Sequence, residues 1–266
     1  MSQNFYTRAE QCWKKTQSLL CVGLDPEIEK IPQGMGVADF LKEIVIATAS
    51  ETCAFKPQFA HFAALGLEKE LADLILFIKK SYPNHIVILD AKRGDISSTA
   101  DKYATEAFVR YGADAVTLNP YLGFDSLTPF LKHSDRGSIV LVRTSNPGAK
   151  DFQDLDCGGE ALFYKVARRL TQINENKNLC FVVGATYPEE MKKLRALCPD
   201  VPFLVPGIGA QGGDVKAVMN SGLTPLKTGL FISSSRAILY ASKGKDFALA
   251  ARRVAMETKK QIQQAL

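Results

Sequence analysis

Eight short apolar runs, at residues 19–24, 53–55, 86–89, 115–118, 138–142, 179–183, 203–205 and 226–232, recur along the chain with helix-like segments between most of them. Runs of three to seven apolar residues, too short for buried helices, read as strands buried on both faces. Strands that alternate with helices over 266 residues most economically close into a single-domain (β/α)8 TIM barrel covering 1–266. An open doubly wound sheet is the competing architecture. It is disfavoured because the first strand ends Gly23-Leu24-Asp25-Pro26, with no G-x-G-x-x-G. No linker or low-complexity stretch divides the chain. A helix at about 3–17 precedes the first strand and is expected to cover the barrel bottom. Between strands two and three, Phe62, Leu65, Ala72, Ile75 and Ile78 form a stripe at helical spacing and predict a helix over 61–80. Ser98-x-x-Asp101 and Thr186-x-x-Glu189 fit capping boxes, a helix is expected from near Asp214, and the last helix is expected over 245–263.

Composition narrows the function classes. The chain is 46% hydrophobic and 23% charged, with a net charge of +5. Its basic residues are scattered or paired on helix-like segments, which argues against nucleic-acid binding. The six cysteines form no C-x-x-C pair, and His61, His85 and His133 match no zinc spacing. The N-terminus has no apolar signal region, and nowhere do about 18 apolar residues run together. The expectation is a reduced, metal-free cytoplasmic protein with no membrane partner.

In such barrels chemistry sits at the C-terminal ends of the strands. Here those ends carry Asp25, Lys56, the run Asp90-Ala91-Lys92-Arg93-Gly94-Asp95-Ile96, Asn119-Pro120-Tyr121, Arg143-Thr144-Ser145-Asn146-Pro147 and Ser233-Ser234-Ser235-Arg236. Asp90 and Lys92 lie two apart and so share one strand face with Ile86 and Ile88. An opposite-charge pair at the mouth of an apolar interior is costly to build for stability alone. Taken by itself it reads equally well as a structural ion pair. Strand seven ends with four glycines in 207–213, Gly209 and Gln211 among the residues of that stretch, directly before a helix-like segment. Glycines let backbone N–H groups approach an anion, and Arg236 after strand eight adds a bidentate donor, so a phosphate site is expected there.

A phosphate on one side and Lys56, Asp90, Lys92 and Asp95 on the other restrict the chemistry. A Schiff-base lysine needs a lowered pKa, whereas each lysine here has a carboxylate nearby that keeps it protonated. A metal-assisted enediolate reaction wants carboxylate or histidine ligands where strand two offers Lys56. What remains is a reaction that builds negative charge on carbon and then protonates it.

D-A-K-R-G-D-I (90–96), V-G-L-D-P (22–26), F-K-P (55–57), R-T-S-N-P (143–147), P-G-I-G-A-Q-G-G (206–213) and S-S-S-R (233–236) together closely resemble the orotidine 5′-phosphate decarboxylase family. The stretches 119–123 and 144–148 resemble its longer bacterial subgroup. The resemblance implies conversion of orotidine 5′-phosphate to UMP and CO2 without metal or cofactor. It implies that Lys92 protonates C6, that Asp90 and Asp95 flank the substrate carboxylate, and that Lys56 holds the charged array and contacts the ribose. It assigns Asp25 to the ribose, Ser145 to the pyrimidine, and Gly209, Gln211 and Arg236 to the phosphate region. It further implies a homodimer in which Asp95 and Thr99 serve the partner's site. The alternatives are a metal-dependent phosphosugar decarboxylase or synthase of the same barrel type, and a non-catalytic nucleotide-binding protein.

Overall fold

The computed structural model of the chain describes residues 3–208 and 213–266. Eight parallel strands, β1 (Leu20–Leu24), β2 (Ala54–Pro57), β3 (Ile86–Arg93), β4 (Ala115–Leu118), β5 (Gly137–Arg143), β6 (Leu179–Val183), β7 (Phe203–Val205) and β8 (Leu230–Ser234), pair in sequence order. β8 returns to β1 through Leu20↔Ile232 and Val22↔Ser234, closing a (β/α)8 barrel. Its strands are covered on both faces, which is why they read as continuous apolar runs. Leu20, Leu24, Phe55, Phe181, Phe203 and Phe231 are all fully buried.

The helices are α1 (Phe5–Thr16), α2 (Val37–Thr48), α3 (Phe59–Ala63), α4 (Glu68–Ser81), α5 (Ser97–Thr105), α6 (Thr128–Leu131), α7 (Leu162–Thr171), α8 (Pro188–Leu197), α9 (Val215–Gly222), α10 (Arg236–Leu239) and α11 (Phe247–Gln264). The stripe predicted over 61–80 is two helices, because Gly66 at φ +68° breaks it. Leu65 is consequently exposed, and Leu71 and Leu74 take the core positions. β8 starts at Leu230, four residues later than predicted. Thr224 and Thr228 close a turn there with Lys227 and Gly229 at positive φ, leaving Leu226 exposed. Neither predicted capping box forms. Ile96 and Tyr187 occupy the N-cap positions without side-chain caps, and Asp95 accepts from the Ile96 N–H instead. Asp214 does cap α9, accepting from the Lys216 N–H.

α1 is tied to the strand starts. The Tyr6 hydroxyl donates to the first carbonyl of β6, Leu179, at 2.7 Å, and the Cys12 thiol donates to the Cys53 carbonyl just before β2. A Cβ on Gly137, the first residue of β5, would come within 2.6 Å of the Phe5 ring, so only glycine fits there. Beside this contact lies Asp114, 1% exposed, directly before β4. Its Oδ1 accepts from Arg8 at 2.6 Å, Lys79 at 2.6 Å and Arg136 at 3.2 Å, and its Oδ2 accepts from the Val87 N–H. One carboxylate thus joins α1, α4, β3 and the approach to β5. Everything that closes the N-terminal end leaves the C-terminal strand ends open for chemistry.

Burial alone would raise the Asp114 pKa, but the charges of Lys79 and Arg8 outweigh it and hold the group below its ordinary value. Its ionic contribution is therefore complete above the ordinary carboxylate range and lost as pH falls below it. Asp114→Asn is expected to lower unfolding stability at neutral pH by about 3 kcal/mol, and this deficit should shrink in acid below about pH 4. Urea unfolding from pH 7 to 3 measures both, and a pH-independent difference would contradict the ionic account.

Candidate active site

The C-terminal ends of β1, β2, β3 and β4 bring together a short chain of charges. Lys56 leaves β2 with its Nζ 2.7 Å from Asp90 Oδ2, and Lys92 places its Nζ 2.7 Å from Asp90 Oδ1. One carboxylate is thereby shared by two ammonium groups. The Lys56 and Asp90 side chains are each 8% exposed, whereas that of Lys92 is 48% exposed and reaches the open mouth. The predicted pairing of Asp90 with Lys92 thus forms.

A threonine that sequence reasoning missed holds this geometry. The Thr117 hydroxyl, in β4, donates to Asp90 Oδ1 at 3.0 Å and accepts the N–H groups of Ala91 and Lys92 at 3.0 and 2.9 Å. These contacts use the hydroxyl's one proton and both lone pairs. They also explain how Lys92 keeps φ at +46°, a left-handed conformation costly for a residue with a side chain. β3 loses register with β4 between Leu89 and Arg93 at this same point. A lone threonine in an apolar strand is ordinary β-propensity, so the sequence carries no signal for this role.

Burial disfavours the charged form of Lys56, yet the charges of Asp90 and Asp25 more than compensate and raise its pKa above the usual lysine value. Burial likewise opposes ionisation of Asp90, and the two lysines outweigh it, holding the carboxyl below its usual range. Both groups stay charged at neutral pH. Asp25 adds a second carboxylate, its Oδ2 accepting from the Ser235 hydroxyl at 2.6 Å while its buried Oδ1 has no hydrogen-bond partner among the described residues. β1 approaches the Ser235 segment so closely that a Cβ on Gly23 would lie 2.7 Å from Ser235 Cβ.

The remaining predicted residues are more dispersed. Asp95 is half-buried and accepts from its neighbour's Ile96 N–H at 2.8 Å, and among the described residues it pairs with neither lysine. Thr99 is exposed in the first turn of α5. Ser145 is half-buried beyond β5, with a Cβ on Gly184 coming within 3.0 Å of its own. Arg236 is exposed at the start of α10. Gly209 and Gln211 lie outside the described residues; the ends of their segment are joined by Gly213 N–H donating to the Gly207 carbonyl, with Gly207 at φ +102°. Sequence reasoning also missed the role of Arg143, 1% exposed at the end of β5. It pairs with Asp154 at 2.7 Å and lies over the rings of Phe163 and Tyr187, 5.0 and 4.0 Å from their centroids. Among the described residues no cluster of three or more His, Cys, Asp or Glu side chains is placed to hold a metal ion.

The arrangement suits a developing carbanion. Lys92 presents an ammonium group at the half-exposed end of the array, and the Asp90 carboxylate that holds it is itself held by the buried Lys56. At about 3 Å and an effective dielectric near 20, one such ammonium–carbanion contact is worth roughly 5 kcal/mol before desolvation.

Comparison with known proteins agrees with this geometry. Residues 18–251 match the family model described as orotidine 5′-phosphate decarboxylase / HUMPS family. The chain is 53% identical to the orotidine 5′-phosphate decarboxylase of Cellvibrio japonicus, over 97% of this chain and 98% of that one. It superposes on the structure of Leishmania donovani OMP decarboxylase with a TM-score of 0.84 and 36% identity, covering 98% and 100% of the two chains. With Leishmania donovani UMP synthase the TM-score is 0.87 at 38% identity, over 99% of this chain and 57% of that longer one.

If Asp90 is what keeps the buried Lys56 charged, its removal must reverse the balance. In Asp90→Asn the Lys56 pKa is expected to drop below the ordinary lysine value, because burial then acts against a weaker counter-charge. Heteronuclear NMR of the lysine side chains follows this titration; a Lys56 pKa that stays raised would contradict the assignment.

Proposed function

The chain belongs to the orotidine 5′-phosphate decarboxylase / HUMPS family, and on that premise we propose how it decarboxylates orotidine 5′-phosphate to UMP, with Lys92 as the proton donor. The observation that carries this reading is Asp90 held between Lys56 and Lys92, 2.7 Å from each. The C6–carboxylate bond breaks, its electron pair remains on C6, and CO2 leaves. A proton from the Lys92 ammonium then forms the C6–H bond of UMP, and Lys92 recovers a proton from solvent. The ring barely delocalises the in-plane carbanion pair, so a fixed positive charge beside C6 supplies the stabilisation. Lys92 gains most after the carboxylate has gone, and an interaction that strengthens in the transition state raises kcat. Asp90 beside the substrate carboxylate is a like-charge contact relieved by loss of CO2.

Binding is assigned to the other strand ends. Asp25 and Lys56 hold the ribose, Ser145 the pyrimidine, and Arg236 with the Gly209–Gln211 stretch the phosphate. Phosphate contacts far from C6 provide binding energy that offsets the crowding of carboxylates at the reacting end. The reaction completes UMP synthesis and uses no metal or cofactor. Six free thiols suit a reducing compartment, and we assign the protein to the cytoplasm. No described helix is long and apolar enough to cross a membrane.

We further assign a homodimer in which Asp95 and Thr99 enter the partner's site. Three observations support it: Asp95 has no cation partner among the described residues, Thr99 faces outward, and Ile96, Tyr121, Leu122 and Phe152 expose apolar surface on the neighbouring strand-end segments. Apolar side chains grouped around a site mark a protein–protein contact.

The wild type is expected to abolish the orotidine 5′-phosphate absorbance at an equal rate with and without EDTA. Loss of activity in EDTA would favour the metal-dependent phosphosugar class, and UMP binding without turnover would favour a nucleotide-binding protein. Mixing inactive Lys92→Ala and Asp95→Ala dimers should restore activity, up to about a quarter of the wild-type value at statistical exchange, since each hybrid regains one intact site. No recovery after verified exchange would contradict the shared site.

A further inference from the structure

We propose that Arg93 is a positioning residue for the decarboxylation, a clamp that sets Lys92 and Asp95 in relation to each other; the proposal rests on the reading given above. Arg93 is the last residue of β3, one step after Lys92 and two before Asp95. Its guanidinium lies over two aromatic rings, 4.2 Å from the Phe59 centroid and 4.5 Å from that of Tyr103. In its plane it meets Glu106 with two hydrogen bonds, Nε to Oε2 and Nη2 to Oε1, each 3.0 Å. The side chains of Arg93 and Glu106 are 16% and 18% exposed, so the pair is largely shielded from water. Its main chain is fixed as well, the carbonyl accepting from the Asn119 N–H at 2.8 Å beyond β4.

The partners come from the elements that carry the charged array. Phe59 opens α3, three residues after Lys56, whereas Tyr103 and Glu106 belong to α5 and the turn that continues it. The stretch from Gly94 to Lys102, which holds Asp95 and Thr99, therefore leaves the clamp at Arg93 and returns to it at Tyr103. Gly94 has little room to shift, since a Cβ there would sit 3.3 Å from Asn119 Cβ. On the other side of Arg93, Lys92 holds its left-handed conformation, which persists only where the surroundings over-determine it. A planar fork packed over two rings and bonded twice to one carboxylate is held by both contacts at once; a lysine ammonium cannot supply both. A bond that served stability alone would not need to be threaded between the two segments the reaction uses.

The test is steady-state kinetics with orotidine 5′-phosphate on the wild type, Arg93→Met, Arg93→Lys and Glu106→Gln, with UMP affinity by calorimetry and thermal melting on each. Displacing reacting groups by about 1 Å can cost a hundredfold, so kcat of Arg93→Met should fall between about tenfold and a hundredfold, with KM and UMP affinity within about threefold of wild type. Arg93→Lys should recover little of the loss despite its charge. Glu106→Gln, which keeps the stacked guanidinium and one acceptor, should fall between wild type and Arg93→Met. A kcat within twofold of wild type in folded Arg93→Met or Arg93→Lys would overturn the proposal, as would parallel losses of kcat and UMP affinity. The wild-type arm keeps the two claims apart: a wild type that leaves orotidine 5′-phosphate unchanged overturns the underlying function, and the clamp's role with it.

Discussion

The Asp90 carboxylate holds two ammonium groups, Lys56 and Lys92, at 2.7 Å each, and it does so almost out of contact with water. The charged array exists because the three groups compensate one another. Removing Asp90 would leave Lys56 buried without its nearest counter-charge, a strongly unfavourable state. Removing Lys56 would leave Lys92 as the one ammonium bonded to Asp90 among the described residues. Thr117 completes the constraint, binding both the Asp90 oxygen and the backbone of Lys92. The Lys92 ammonium is thus held in place by the protein's own groups, and the proposed proton transfer would draw on that preorganisation.

The barrel makes such an arrangement affordable by separating its two ends. At the N-terminal end, α1 and the Asp114 cluster close the structure with buried apolar contacts and a carboxylate compensated by three cations. At the C-terminal end, strained and partly unsatisfied groups accumulate among the described residues: Lys92 at positive φ, Asp25 Oδ1 without a hydrogen-bond partner, and Asp95 without a cation. Conformational cost gathered at the site is offset by packing elsewhere in the same core.

Much of this was legible in the sequence. Continuous apolar strands, their number and the polar residue at each end pointed to a closed barrel with its chemistry on one face, and β4, β6 and β7 fall where their apolar runs begin and end. Asp90 and Lys92 were recognisable because charge after four buried residues is rarely neutral in energy. Legibility failed where long-range geometry decided the outcome. Gly66 and Gly229 moved element boundaries because only the assembled backbone shows that they adopt positive φ. Thr117, Arg143 and the Arg93–Glu106 pair were silent because their partners lie on other elements, and an isolated Thr or Arg fits many surface or strand positions equally well. Asp95 accepts only from the Ile96 N–H beside it among the described residues, a local turn contact that its place in the D-A-K-R-G-D-I run does not announce.

The central claim is that the array acts on the transition state more than on the bound nucleotide. Lys92→Ala, examined by single-turnover decarboxylation and by calorimetric UMP binding on one preparation, tests it most directly. Turnover should fall by at least about three orders of magnitude, consistent with a lost charge contact of roughly 5 kcal/mol, while UMP affinity changes by less than about tenfold. A variant that retains turnover within tenfold of wild type, or loses binding in proportion to rate, would contradict the account.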